Sequence, residues 1–174
     1  MTKKYIIDTN VFIQGKNFHY HFDFCKGFWE WIEKSHANGV IFSIAKVKAE
    51  LMQGSKGDPA RTWAQKMPAN FFLDDVSDPA VMTAYGDVMK WASGDKHYLP
   101  GAITIFSDFT KADAFLLAVA KAHGYEIVTQ EYSDPAKKKE IPIPDAATKI
   151  GGIKTINIYD LLRRHAGPTF VFKP

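Results

Sequence analysis

Four acidic residues stand in company that sets them apart from the other charges of the chain. Asp8 follows the apolar run Tyr5-Ile6-Ile7 and is joined by Thr9 and Asn10; Glu50 lies in "VKAEL"; Asp113 lies in "TKADAFLLAVAKAHG"; and Glu131 closes "YEIVTQE" just after Thr129. Carboxylates brought together repel and raise one another's pKa unless a cation sits between them. A hard divalent ion, Mg²⁺ or Mn²⁺, relieves that repulsion, because it takes oxygen ligands, keeps several waters and commonly joins substrate phosphates. Such an ion polarises a phosphoryl group and lowers the pKa of an attacking water. Metal-assisted phosphodiester hydrolysis is the chemistry these four residues point to, provided the fold gathers them.

The elements that must do so are legible in the hydrophobic pattern. Residues 5–7 read as a buried strand. Phe24, Phe28, Trp31, Ile32 and Ser35 fall at spacings of three and four and predict a helix ending near Gly39. Residues 40–43 read as a second strand, and Ile44, Val47 and Leu51 then share a helical stripe that Ser43 is placed to cap. Between 54 and 101 two Asp-Pro pairs, Asp58-Pro59 and Asp78-Pro79, each set an N-cap residue before a first-turn proline, predicting helices over 59–66 and 79–92 within a helical insertion. The apolar, β-branched run 102–106 reads as a strand. A long helix follows, carrying Ala112, Phe115, Leu116, Val119 and Ala120 on one face and stopping at Gly124. Then come a strand ending in polar residues, a proline- and lysine-rich loop, a short helix over 145–150, a strand over 154–158 and a last helix in "YDLLRRHA".

Alternating strands and helices imply one α/β domain: a parallel sheet of four to five strands with helices on both faces. In such sheets ligands bind outside the carboxyl ends of the strands. Asp8, Ser43, Thr129 and Glu131 lie at those ends, while Glu50 and Asp113 lie on helices that start there. Each acid also has a structural reading. Asp8, Thr9 or Asn10 can cap a following helix, Thr110 to Asp113 matches a capping box, and Glu50 can be a solvated helix residue.

Composition narrows the classes. The chain has 174 residues, 46% of them hydrophobic and 14% aromatic, as expected of a globular protein. A single cysteine, Cys25, excludes an intrachain disulfide and suits a reducing cytoplasm. No apolar run approaches the ~20 residues of a membrane-spanning helix. The formal net charge of +3 does not mark a nucleic-acid binder, but acids committed to a cation leave the remaining surface more basic.

In order along the chain, "IIDTNVFI", "VKAEL", "KADAFLLAVAKAHG" and "IVTQE" resemble the motifs of the PIN-domain nucleases, from Tyr5 to about Arg164. Trp29 and Trp31, "IPIPDAA" and "INIYDLLRR" are similar to a bacterial and archaeal subgroup of that superfamily. The resemblance implies a metal-dependent endoribonuclease acting on single-stranded RNA, of the VapC kind, with a cognate antitoxin and homodimer formation among its implied partners. It assigns Asp8, Glu50, Asp113 and Glu131 as catalytic metal ligands for Mg²⁺ or Mn²⁺, with Asn10, Ser43 and Thr129 in support. The chain departs from the family at "VTQE", where an aspartate is usual, and Asp145 is an alternative late carboxylate.

Other features are weaker. His19 and His21 have a spacing open to metal binding, but lie among Asn17, Phe18, Tyr20 and Phe22, aromatics also suited to stacking on bases. Lys137, Lys138 and Lys139 read as a solvated loop that can meet phosphates. A phosphotransferase using Asp8 as nucleophile calls for a second aspartate two residues on, where this chain has Asn10. A catalytically inactive RNA- or protein-binding module of the same fold is the rival expectation.

Overall fold

In the computed structural model, which describes residues 3–174, the chain builds a five-stranded, all-parallel sheet of order β3-β2-β1-β4-β5. The strands are β1 (Tyr5–Ile7), β2 (Ile41–Ile44), β3 (Phe72–Leu73), β4 (Glu126–Val128) and β5 (Thr155–Ile156). All three residues of β1 are buried, as a central parallel strand covered on both faces requires. Tyr5 lies opposite Ile41 on one side and Glu126 on the other. From β1 the chain travels outward through β2 to β3, then crosses back to lay β4 and β5 on the opposite side. That reversal opens a crevice at the carboxyl ends of β1 and β4.

Helices cover both faces. Thr9–Gln14 (α1) follows β1 at once and runs into a single π turn, Gly15–His19. Lys26–Ala37 (α2) buries Phe28, Trp29, Trp31 and Ile32, and the indole N–H groups of Trp29 and Trp31 donate to the carbonyls of Tyr20 and His165. Ala45–Leu51 (α3) leads from β2. Pro59–Lys66 (α4) and Pro79–Gly94 (α5) start where the Asp-Pro pairs predict: Asp58 accepts from the amides of Ala60 and Arg61, and Asp78 from that of Ala80. Pro100–Phe106 (α6) precedes Asp113–His123 (α7), which packs between the sheet and α5 and ends at Gly124 in the left-handed conformation. Ile143–Ile150 (α8) and Ile158–His165 (α9) complete the fold. Among the described residues no helix is long and apolar enough to cross a membrane.

The departures from the sequence reading have local causes. Residues 102–106 are helical, not a strand: Pro100 occupies the first turn, and Ala102 and Phe106, four apart, are the residues buried. Ser43 does not cap α3; it lies inside β2, fully buried, and its hydroxyl donates to Ile7 O at 2.6 Å, leaving Ile44 at the N-cap position. Phe24 precedes α2 and is 73% exposed instead of lying on its buried face. The 54–101 segment is not purely helical, because it supplies β3, paired to β2 through Ser43 and Phe72.

Candidate functional site

The crevice between β1 and β4 is lined by the ends of both strands. Asp8 sits one residue past β1, where its amide donates to Val128 O at 2.9 Å, and it is almost wholly buried. It occupies the N-cap position of α1 but makes no side-chain capping bond, so capping does not account for its carboxylate. Instead its Oδ2 accepts a 2.8 Å hydrogen bond from Thr129 Oγ1, at the end of β4. Asn10 donates through Nδ2 to the same hydroxyl oxygen at 3.0 Å and accepts from the Gln130 amide at 2.9 Å. The Glu131 amide also donates to Thr129 Oγ1, at 3.1 Å. A threonine hydroxyl owns one proton, and Asp8 Oδ2 at 2.8 Å is a much closer acceptor for it than Asn10 Oδ1 at 3.5 Å.

Glu50, on α3, reaches across to the start of α7. Its Oε1 accepts from the Ala112 amide at 3.0 Å and its Oε2 from the hydroxyl of Thr9. Thr9, which the sequence offers only as a helix cap, therefore orients an acid. The signal for it was its place between Asp8 and Asn10. Asp113 is the first residue of α7, beyond which no side-chain cap lies, and Thr110 turns its hydroxyl to Asp108 instead of forming the predicted capping box. Glu131, after β4, accepts from the Ile143 amide at 2.7 Å and so fastens the start of α8.

The four acids thus divide into two kinds. Glu50 and Glu131 each hold a helix start through a backbone N–H, whereas Asp8 and Asp113 are free of capping duty. They also feel one another. Burial, then the charges of Asp113 and Glu131, raise Asp8 well above the ordinary carboxylate range, against the lowering effect of the Thr129 hydroxyl. Burial, then Glu131 and Glu50, raise Asp113 to about 7, with Lys111 opposing. Burial also raises Glu131, countered by the Ile143 amide and Lys137. A cluster held this way chemically suits a hard divalent cation, which supplies the missing positive charge to oxygen donors. Among the described residues, however, no group of three His, Cys, Asp or Glu side chains is arranged to hold a metal ion directly.

Asp113 and Glu131 line an open cleft of about 540 Å³ together with Ala102, Ile105 and Phe106 of α6 and the loop carrying Tyr132, Lys137 and Lys139. Lys138 contributes its carbonyl, which accepts from the Leu99 amide at 2.9 Å. Asp145 is buried and occupied, accepting from the Ser133 hydroxyl and from the Asp134 amide at 2.9 Å, so it anchors the loop. His21 pairs with Asp23 and stacks on Phe24, and the His19 ring meets Tyr159, contacts that account for both histidines without a metal.

A family model described as a domain of unknown function, DUF4411, matches residues 5–169. No curated protein matches the chain.

Proposed function

The chain belongs to the DUF4411 family, and from the acid cluster at the strand ends we propose that it is a divalent-cation-dependent nuclease of PIN-domain type that hydrolyses single-stranded RNA. The observation that carries this reading is the meeting of Asp8, Glu50, Asp113 and Glu131, from four distant segments, at the crevice where the sheet reverses direction, with Asp8 feeling the charge of the other three.

Asp8 and Asp113 are the groups that would hold the ion, since neither is spent on a helix start, and Glu50 and Glu131 add negative charge from fixed positions. When bound, Mg²⁺ or Mn²⁺ supplies Lewis acidity toward the scissile phosphate and a more acidic water. The protein's own work is to fix the acids. Asn10 donates to Thr129, and Thr129 donates to Asp8, which sets the plane of a carboxylate at the end of a rigid strand. Thr9 does the same for Glu50. Hydrogen bonds to ligating groups typically change metal affinity or activity by ~10- to 100-fold when removed. The open cleft that Asp113 and Glu131 line offers room beside the acids for a segment of substrate. Toxin activity, an antitoxin partner and a homodimer rest on the family resemblance alone.

Titration with Mn²⁺, followed by the loss of the free ion's paramagnetic resonance signal, tests the metal part of the proposal. Binding by the wild-type chain that weakens in Asp8→Asn and Asp113→Asn supports it. Absence of binding at millimolar Mn²⁺ sinks it, leaving the RNA- or protein-binding module. That rival draws on one observation, the lack of a three-residue group arranged to hold a metal among the described residues.

A further inference from the structure

The cleft leading away from the acids has two apolar surfaces that the fold does not use. Tyr132, next in sequence to Glu131, is 77% exposed, and Ile105, which lines the same cleft, is 63% exposed. Single exposed apolar residues are ordinary, but these two line one cleft with two of the acids, Asp113 and Glu131.

The loop presenting Tyr132 is held in place along its length. Glu131 accepts from Ile143 at 2.7 Å; Asp145 takes the Ser133 hydroxyl and the Asp134 amide; His97 Nε2 donates to Lys137 O at 3.0 Å; and Leu99 N donates to Lys138 O at 2.9 Å. Two of these ties come from the end of the 54–101 segment and the start of α6. A ring carried on such a frame binds with little ordering cost. Lys137 and Lys139 line the same cleft, Lys137 beside Glu140 and Lys139 exposed.

An aromatic ring, an aliphatic side chain and lysines lining one cleft with two of the acids proposed to serve phosphate cleavage match one ligand chemistry: an unpaired nucleobase with its flanking phosphate. We propose that Tyr132, in the cleft it shares with Ile105, is the stacking platform for a base next to the scissile phosphate, with Lys139 contacting that nucleotide's backbone. The proposal rests on the nuclease reading and assigns it a substrate subsite.

The test uses the full-length chain with Ca²⁺ replacing Mg²⁺ or Mn²⁺ to slow turnover, and a short single-stranded RNA carrying a fluorescent purine analogue. Wild type binds and quenches the analogue. Tyr132→Ala weakens binding by about 5- to 150-fold, the range for loss of one base–aromatic stack, and abolishes quenching, whereas Tyr132→Phe preserves both. Because Tyr132 is exposed, the thermal midpoint of the alanine variant stays with wild type, which separates loss of stacking from loss of fold. Equal binding and quenching by wild type and Tyr132→Ala overturns the proposal, and is also the outcome for a cleft that serves a protein partner. If that equality accompanies wild-type cleavage in Mn²⁺, the nuclease reading survives and the subsite alone is lost. If wild type neither binds nor cleaves the RNA, both fall.

Discussion

The hydroxyl of Thr129 donates to Oδ2 of Asp8 at 2.8 Å, joining the carboxyl ends of β4 and β1 across the point where the sheet changes direction. With Asn10 donating to the same threonine oxygen, the three side chains form a one-way series ending on the most buried acid of the cluster. The second oxygen of Asp8 stays outside that series, which is the arrangement expected of a carboxylate held for use on its other side.

Thr129→Val keeps the shape of this residue and removes the donor. The expected result is a loss of Mn²⁺ affinity or activity of ~10- to 100-fold, together with ~1–3 kcal/mol of stability from an acceptor left unsatisfied in the interior. Thr129→Ser restores most of both. Denaturant unfolding and Mn²⁺ titration of the pair check it; a valine variant with wild-type metal affinity counts against the positioning role.

Thr9→Val is expected to lower metal affinity by a similar factor, because Glu50 loses the hydroxyl that aims its Oε2 while keeping the Ala112 amide on Oε1. The effects of Thr9→Val and Glu50→Gln are expected not to add, since both act through one carboxylate. A double-mutant cycle on Mn²⁺ affinity measures this.

Stability without metal is expected to fall as pH rises through neutrality. Asp113 in the folded chain titrates at about 7, against 3.8 as its ordinary value, so the folded state binds more protons than the unfolded state between those limits. The slope of unfolding free energy with pH is then negative over that window, and the stability conferred by the proton is lost as pH climbs through 7. Asp8, also raised, acts in the same direction. Asp113→Asn flattens the slope, and Mg²⁺ raises the thermal midpoint more at pH 8 than at pH 5. Melts across that range in chelator and in Mg²⁺ provide the comparison.

The two Asp-Pro helix starts are expected to differ in weight. Asp58 caps α4 twice and also pairs with Lys16 in a largely buried site; burial opposes its ionisation, yet Lys16 and the Arg61 amide leave its pKa below the usual range. Asp78 caps α5 once and meets His123 Nε2 at 2.8 Å from a partly exposed position, where that pair is screened by solvent. Asp58→Ala therefore costs more than the ~1 kcal/mol of an ordinary N-cap, because Lys16 is left buried without its partner, while Asp78→Ala stays near that figure. Equal losses in denaturant unfolding contradict this.

These predictions draw on features that differ in how far the sequence reveals them. The Asp-Pro starts, the buried β1 and the Gly124 stop rest on chemistry local to a few residues, and the same residues perform those tasks in the fold. Residues 102–106 misled because Ile103, Thr104 and Ile105 are β-branched, and a run that short carries no decisive period; Pro100, two residues earlier, was the better guide. The strand β3 has two residues and exists only through its pairing with β2, so no local pattern encodes it. At the site, the gathering of the acids follows from the topology, but the duties of the individual residues do not. The residues suspected of capping, Asp8 and Asp113, do not cap, while Glu50 and Glu131 hold α7 and α8 through bonds to residues 62 and 12 positions away. The bond of Thr9 to Glu50 is illegible for the same reason, the two being 41 positions apart.

The central claim is that Asp8 and Asp113 serve a metal-dependent cleavage of RNA. The most direct measurement follows a labelled single-stranded RNA in Mn²⁺ with the wild-type chain, Asp8→Asn and Asp113→Asn, each checked for folding by its thermal midpoint. The account predicts cleavage by wild type that chelator abolishes, and a loss of at least ~100-fold in either folded variant, the scale of removing a charged group that acts in the transition state. Cleavage by the variants at the wild-type rate, or no cleavage by a folded wild-type chain in Mn²⁺, contradicts it.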